Sequence, residues 1–222
     1  MKSRRQAAWL ASVLGLAFLL AGIGSSSLAQ DKTESASALK SSATAKKAKL
    51  ETAIFGAGCF WSTEAVFERV PGVKTVVSGY SGGNVAFPSY DLVCTGETGH
   101  AEVVQVTFDP SVVTYEQLVK AFFALHDPTT LNRQGDDFGT QYRSAIFYKG
   151  DDQKQAAIKY DKELTSKRAF RSPIVTELTP FSKFYPAEEY HQNYFQTNPY
   201  SQYSQFYIVP KLAKLKPKLH LQ

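Results

Sequence analysis

The chain has 222 residues, 43% of them hydrophobic and 13% aromatic, with a formal net charge of +5. Three positive charges, Lys2, Arg4 and Arg5, lie among the first residues, so the remainder is near +2 and offers no basic stripe for nucleic acid. The two cysteines, Cys59 and Cys94, form no Cys-x-x-Cys, and the four histidines are too scattered for metal-ligand spacing, so no bound metal is expected.

The basic residues at the start precede the apolar run AAWLASVLGLAFLLAGIG, and SSSLAQ then places small residues at Ser27 and Ala29. That layout predicts a secretory signal peptide over residues 1–29, with an uncleaved membrane anchor as the alternative, because the run approaches the length of a spanning helix. Either way the protein is expected to be exported, with the Gram-negative periplasm as first choice. Residues 30–49, which include DKTESASALKSSATAKKAK, have no aromatic and little to bury, so they read as a disordered linker. Residues 50–210 suit one domain with its own core. The lysine-rich end, KLAKLKPKLHLQ over 211–222, reads as a basic flexible tail.

Within the domain, TAIFGAG is a short buried strand ending at a glycine turn, and FWSTEAVFERV begins a helix at or just after Cys59. GVKTVVSGYSGG is a strand entering a Gly-rich turn that lacks the lysine of a phosphate loop. AEVVQVTFDP is an alternating strand, and TYEQLVKAFFALHD an amphipathic helix capped by Thr114. QYRSAIFY is a further strand, DDQKQAAIKYDKELTSKR a surface helix, and PIVTELT a last strand. This interleaving predicts a two-layer α+β domain around an antiparallel or mixed sheet. From about Pro180 the chain is dense in Tyr, Phe and Asn, with one short helical patch near Ala187–Phe195, and is expected to wrap the domain as coil.

Cys59 at a helix N-terminus is a nucleophile candidate, since unpaired amides and the helix dipole favour a thiolate; the alternative is a buried structural thiol. Exactly two cysteines in an exported chain also invite a disulfide, although a domain of this size has enough core to do without one. His100 and Glu102 fall on one face of the alternating strand. A charge so close to an apolar strand marks either an exposed strand end or a group held for chemistry. RQGDDFGTQYRSA suits a binding loop or a tight turn.

Taken in order, GCFW, GYSGG, YDLVCTGETGHAE, HDPTTLNRQGDDFGTQYRSAIFY and FYPAEEYHQNY resemble the motifs of the peptide methionine sulfoxide reductase A family, over residues 53–194. The resemblance implies a ferredoxin-like plait with a long coil-rich C-terminal segment. It implies that Cys59 attacks the sulfoxide sulfur, that Phe60 and Trp61 receive the substrate's methyl group, and that Glu102, Tyr90 and Tyr142 hold the sulfoxide oxygen with Asp137 in support. It also implies methionine (S)-sulfoxide, free or in oxidised proteins, as substrate, and no bound cofactor.

Many family members carry a recycling cysteine near the C-terminus, and none follows Tyr194 here. A one-cysteine cycle is therefore expected, resolved by an external thioredoxin-like protein or small thiol, with Cys94 as the alternative resolving thiol. Without heptads or a large apolar tail, a monomer is expected. Two rival readings stand beside this one: a cysteine hydrolase or acyltransferase with His100 or His191 as base, and a binding module in which Cys59 is inert.

Overall fold

The computed structural model describes residues 49–222, so the expected signal peptide and all but the last residue of the linker lie outside the described residues. The chain enters as β1 (Glu51–Ala57), turns at Gly58 into α1 (Phe60–Phe67), and returns as β2 (Val73–Ser81). After the short helix α2 (Tyr90–Cys94) come β3 (Ala101–Phe108) and α3 (Tyr115–Leu125). A two-residue hairpin of β4 (Arg133–Gln134) and β5 (Asp137–Phe138) leads to β6 (Ser144–Tyr148), α4 (Asp151–Ser166), β7 (Glu177–Pro180) and β8 (Phe184–Pro186). The chain closes with α5 (Tyr194–Thr197), a π-helical turn over Ser204–Ile208, and α6 (Val209–Leu219).

The main sheet has the order β7-β6-β1-β3-β2-β8. Every pairing is antiparallel except β6 with β7, so the sheet is mixed. β3 lies between β1 and β2, and β1 between β3 and β6, so each strand–helix–strand unit is split by a strand of the other. α3 starts where Thr114 predicts: its hydroxyl accepts the Gln117 amide while the Gln117 side chain accepts the Thr114 amide.

Alternation sorts the strands onto two faces. Ala53, Phe55, Val104, Val106, Phe108 and Ile146 face the helices, where Phe55 stacks on Phe67 at 5.2 Å and Phe122 at 5.3 Å. Each such ring contributes roughly 1.5–3 kcal/mol on burial. Ile54, Val103, Ala145 and Phe147 face the other way and are covered by Phe181 and Phe184 of the C-terminal coil.

Three expectations are corrected. Residues 211–222 are not a flexible tail: 209–219 form α6, which packs its Leu215 into the core, and Leu221 is buried beyond it. Spacing explains this, because Leu212, Leu215 and Leu219 share one helical face among the lysines. PIVTELT is not the last strand, since β8 pairs with the edge of β2. His100 precedes β3, with its ring between the Gly83 amide at 3.1 Å and the Val85 carbonyl at 2.8 Å, so it ties down the GYSGG loop and does not share a strand face with Glu102.

Candidate active site

The site forms where β1 runs into α1. Gly58 takes φ +83, and a Cβ there would meet Cβ and Cγ of Gln134 at 2.6 Å, so only glycine makes this turn. Gln134 cannot move aside easily, because its amide is bonded in both directions to the Asp127 backbone. The turn delivers Cys59 as the residue capping α1, with no side-chain cap of its own.

Glu102, on the helix-facing side of β3, occupies the position beside it. The carboxyl is 1% exposed and accepts the Phe60 amide at 3.0 Å. Burial pushes its pKa up to about 8 from an ordinary 4.5, the Asp137 charge adds to this, and the Phe60 amide opposes it. At neutral pH most of these carboxyls hold a proton.

Cys59 departs from the helix-terminus argument. Burial first, and then the Glu102 charge, hold the thiol well above its ordinary value, with Asp137 adding to them. The Tyr203 hydroxyl and the Trp61 amide favour the thiolate but do not prevail. Desolvation and two carboxyls outweigh the first turn of a short helix, so the resting thiol is protonated. Both cysteines are free, and no disulfide joins them.

Tyr142 and Asp137 close two further sides. Burial first, and then the Glu102 charge, raise the Tyr142 phenol. Burial also raises Asp137, while the Lys211 ammonium opposes it. Tyr90 begins α2, its amide donating to Glu188 at 2.8 Å and its ring lying on His191 at 4.4 Å. Its hydroxyl is directed to Cys94, an exposed thiol at the end of α2, and the Glu102 charge also reaches it.

Phe60 and Trp61 part company. The Phe60 ring is 1% exposed, packed between Tyr80 at 5.9 Å and His191 at 5.0 Å, and so underlies the site from within the core. Trp61 is half-buried: its indole N–H donates to His191 Nδ1 at 3.1 Å, its face stacks on Tyr194 at 3.7 Å and 6°, and the Tyr203 edge meets it at 5.2 Å. Accepting at Nδ1 puts the His191 ring proton on Nε2.

Three of these neighbours are not among the groups the sequence singles out, and His191 figures there only as the base of a hydrolase. Tyr203 reaches the thiol and, at 3.3 Å, Ser62 Oγ; Tyr194 and His191 frame the indole; and burial lowers the pKa of Lys211, on α6, against the charges of Cys59 and Asp137. The aromatic density after Pro180 was the available signal, but it carries no register that would assign a ring to a partner. Neither His100 nor His191 bonds the thiol; their rings are committed to the GYSGG loop and the indole. The arrangement is therefore a protonated carboxyl and phenols around a neutral thiol, walled by aromatic rings. It can deliver protons to an oxygen while sulfur attacks.

Comparison with known proteins agrees with this chemistry. The family described as "Peptide methionine sulfoxide reductase" matches residues 51–221. The chain is 54% identical over 169 residues to the peptide methionine sulfoxide reductase MsrA of Acinetobacter baumannii (strain AYE), covering 76% of this chain and 96% of that protein. It is 50% identical to the MsrA of Polynucleobacter asymbioticus, over 76% of this chain and 89% of that one. Among solved structures, Mxr1 from Saccharomyces cerevisiae in its reduced form is similar with a TM-score of 0.63 at 37% identity, covering 70% of this chain and 92% of that chain. Methionine sulfoxide reductase A of Corynebacterium diphtheriae is similar with a TM-score of 0.62 at 38% identity, covering 68% and 76%.

Proposed function

Since the chain belongs to the peptide methionine sulfoxide reductase family and is an oxidoreductase acting on a sulfur group, we propose that it reduces the S epimer of methionine sulfoxide, free or in oxidised proteins, through a one-cysteine cycle. The observation that carries this reading is the buried Glu102 carboxyl, pushed up to about 8 and bonded to the amide that follows Cys59. A sulfoxide oxygen leaves sulfur only once protonated, and a neutral carboxyl supplies that proton where water is excluded.

In the first step the Cys59 sulfur bonds to the oxygen-bearing substrate sulfur while Glu102 gives its proton to the oxygen and its carboxylate takes up the proton that Cys59 releases. The hydroxyl then moves to the Cys59 sulfur as the sulfur–sulfur bond breaks with its electron pair on the substrate sulfur, giving a methionine thioether and a Cys59 sulfenic acid, so the substrate is reduced and the thiol oxidised by two electrons. Protonating Glu102 also removes the charge that opposes a Cys59 thiolate. Tyr142 and Tyr90 steady the polarised oxygen, Asp137 supports them, and Trp61 with Tyr203 receives the methyl group over the buried Phe60. Two equivalents of external thiol return the sulfenic acid to the thiol, with release of water and a disulfide. The donor is a thioredoxin-like protein or small thiol of the compartment to which residues 1–29 direct the chain, taken as the periplasm. We take the enzyme as a monomer that repairs oxidised proteins.

A second recycling route runs through Cys94, an exposed thiol at the end of the helix that Tyr90 begins. Mixing the protein with dithiothreitol and each epimer of a methionine-sulfoxide peptide tests the reading. Conversion of the S epimer alone is expected, and turnover of neither, or of R, overturns it. Dimedone trapping of Cys59 in wild type and Cys94→Ser decides the route; an intramolecular disulfide in the wild type replaces the one-cysteine cycle.

A further inference from the structure

The reaction leaves one buried carboxyl on α1 unused. Glu64 is 1% exposed and faces the C-terminal coil. Its Oε2 accepts the Tyr194 amide at 3.2 Å, whereas Oε1 has no partner. Burial raises its pKa to about 7, against the pull of the Asn193 and Tyr194 amides. A buried carboxyl is costly to keep unless its hydrogen bond is needed for something.

Tyr194 needs holding. It follows Asn193, which sits in the left-handed region at φ 52 and ψ 35, and it opens a helix of only four residues. Its hydroxyl reaches only Ser201, at 3.4 Å. Gln192, bonded to both the amide and the carbonyl of Ser78, ties the turn to β2, while Glu64 holds it to α1 at Tyr194. Just beyond, Arg69 lies over Phe195 and Gln196 reaches Glu68 at 3.1 Å. The ring placed by that turn lies flat on the Trp61 indole at 3.7 Å.

We propose that Glu64 is a positioning residue of the substrate pocket, which by holding the Tyr194 amide sets the plane of the phenol against Trp61 and so sets how tightly the methyl sulfoxide is bound. The inference rests on the reading of this site as a methionine sulfoxide reductase. Glu64 touches no reacting atom, so its effect belongs in KM and not in kcat.

The test uses the full-length chain with saturating dithiothreitol and an S-epimer peptide, in Glu64→Gln, Glu64→Met, Tyr194→Ala and the Met/Ala double variant. Gln retains an acceptor, and its KM stays within about twofold of wild type. Met fills the volume without an acceptor; KM rises about tenfold with kcat nearly unchanged, and the near-ultraviolet dichroism of the Trp–Tyr stack falls. Because Glu64 acts through Tyr194, the double variant is no worse than Tyr194→Ala. Multiplying effects, or a fall in kcat at constant KM, overturn the proposal. Wild-type turnover of neither epimer would instead overturn the parent reading. The dichroism needs no turnover: if Glu64→Met keeps the stack signal, the clamp is wrong, and this holds even for a variant too unstable to assay.

Discussion

Cys59 and Glu102 come from the ends of two paired strands, each fixed by ladder hydrogen bonds and by packing on Phe55 and Val104. Tyr194 and Tyr203 come from the last thirty residues, where short helical turns are held by a few side-chain hydrogen bonds such as Glu64 to Tyr194, and Lys211 comes from α6 beyond them. The contrast divides labour. Proton and sulfur transfer need distances held to a fraction of an ångström, which a sheet supplies. A methyl-binding wall tolerates more freedom, and side chains on a coil suffice.

If that division holds, strand and strand-end changes act on kcat and coil changes act on binding or stability. Cys59→Ser has the largest effect, with turnover of methionine sulfoxide abolished in a dithiothreitol assay. Glu102→Gln follows: kcat falls about 10²–10⁴-fold, as for the loss of a general acid. In the wild type the rate declines as pH rises through about 8, where Glu102 loses its proton, and a pH–rate profile of the Gln variant lacks that limb.

Leu215→Ala breaks the comparison from the other side. It costs about 2–5 kcal/mol in urea unfolding, since Leu215 is 1% exposed in the core, whereas a flexible tail would show no change. Stability also carries a pH signature. Glu102 and Glu64 are raised from 4.5 to about 8 and about 7, so the stability due to their neutral forms is complete below about 4.5 and lost as pH rises through those values. Thermal melts therefore fall from pH 6 to pH 9, and Glu102→Gln flattens the fall. Tyr203→Phe is the smallest change: it removes the hydroxyl that reaches Ser62 and Cys59, and a loss of about 1 kcal/mol of transition-state binding costs about fivefold in kcat/KM.

The same division explains what could be read in the sequence. β1, β3, α3 and the start of α1 follow from alternation, helical spacing and the Thr114 cap, and helical spacing alone sets the thiol at the helix start. The sign of the Cys59 shift was not legible, because it depends on how deeply two carboxyls and a phenol bury the thiol, and those residues lie far apart in sequence. The C-terminal helix was hidden by its lysines, which outnumber the three leucines of its buried face. Which ring meets Trp61 was set by the left-handed Asn193, a conformation that asparagine permits but does not announce.

That the half-buried Cys59 thiol rests protonated has a consequence for how it meets oxidants. Hydrogen peroxide attacks thiolates, so a sulfur kept protonated and covered by Tyr203 reacts slowly with it. Direct oxidation of the resting thiol by peroxide is therefore slow. A sulfoxide that fits the pocket brings an oxygen able to take the Glu102 proton, and with that carboxyl's charge the site itself changes. Selectivity between damaged methionine and the peroxide that damaged it is thus built into where the proton rests.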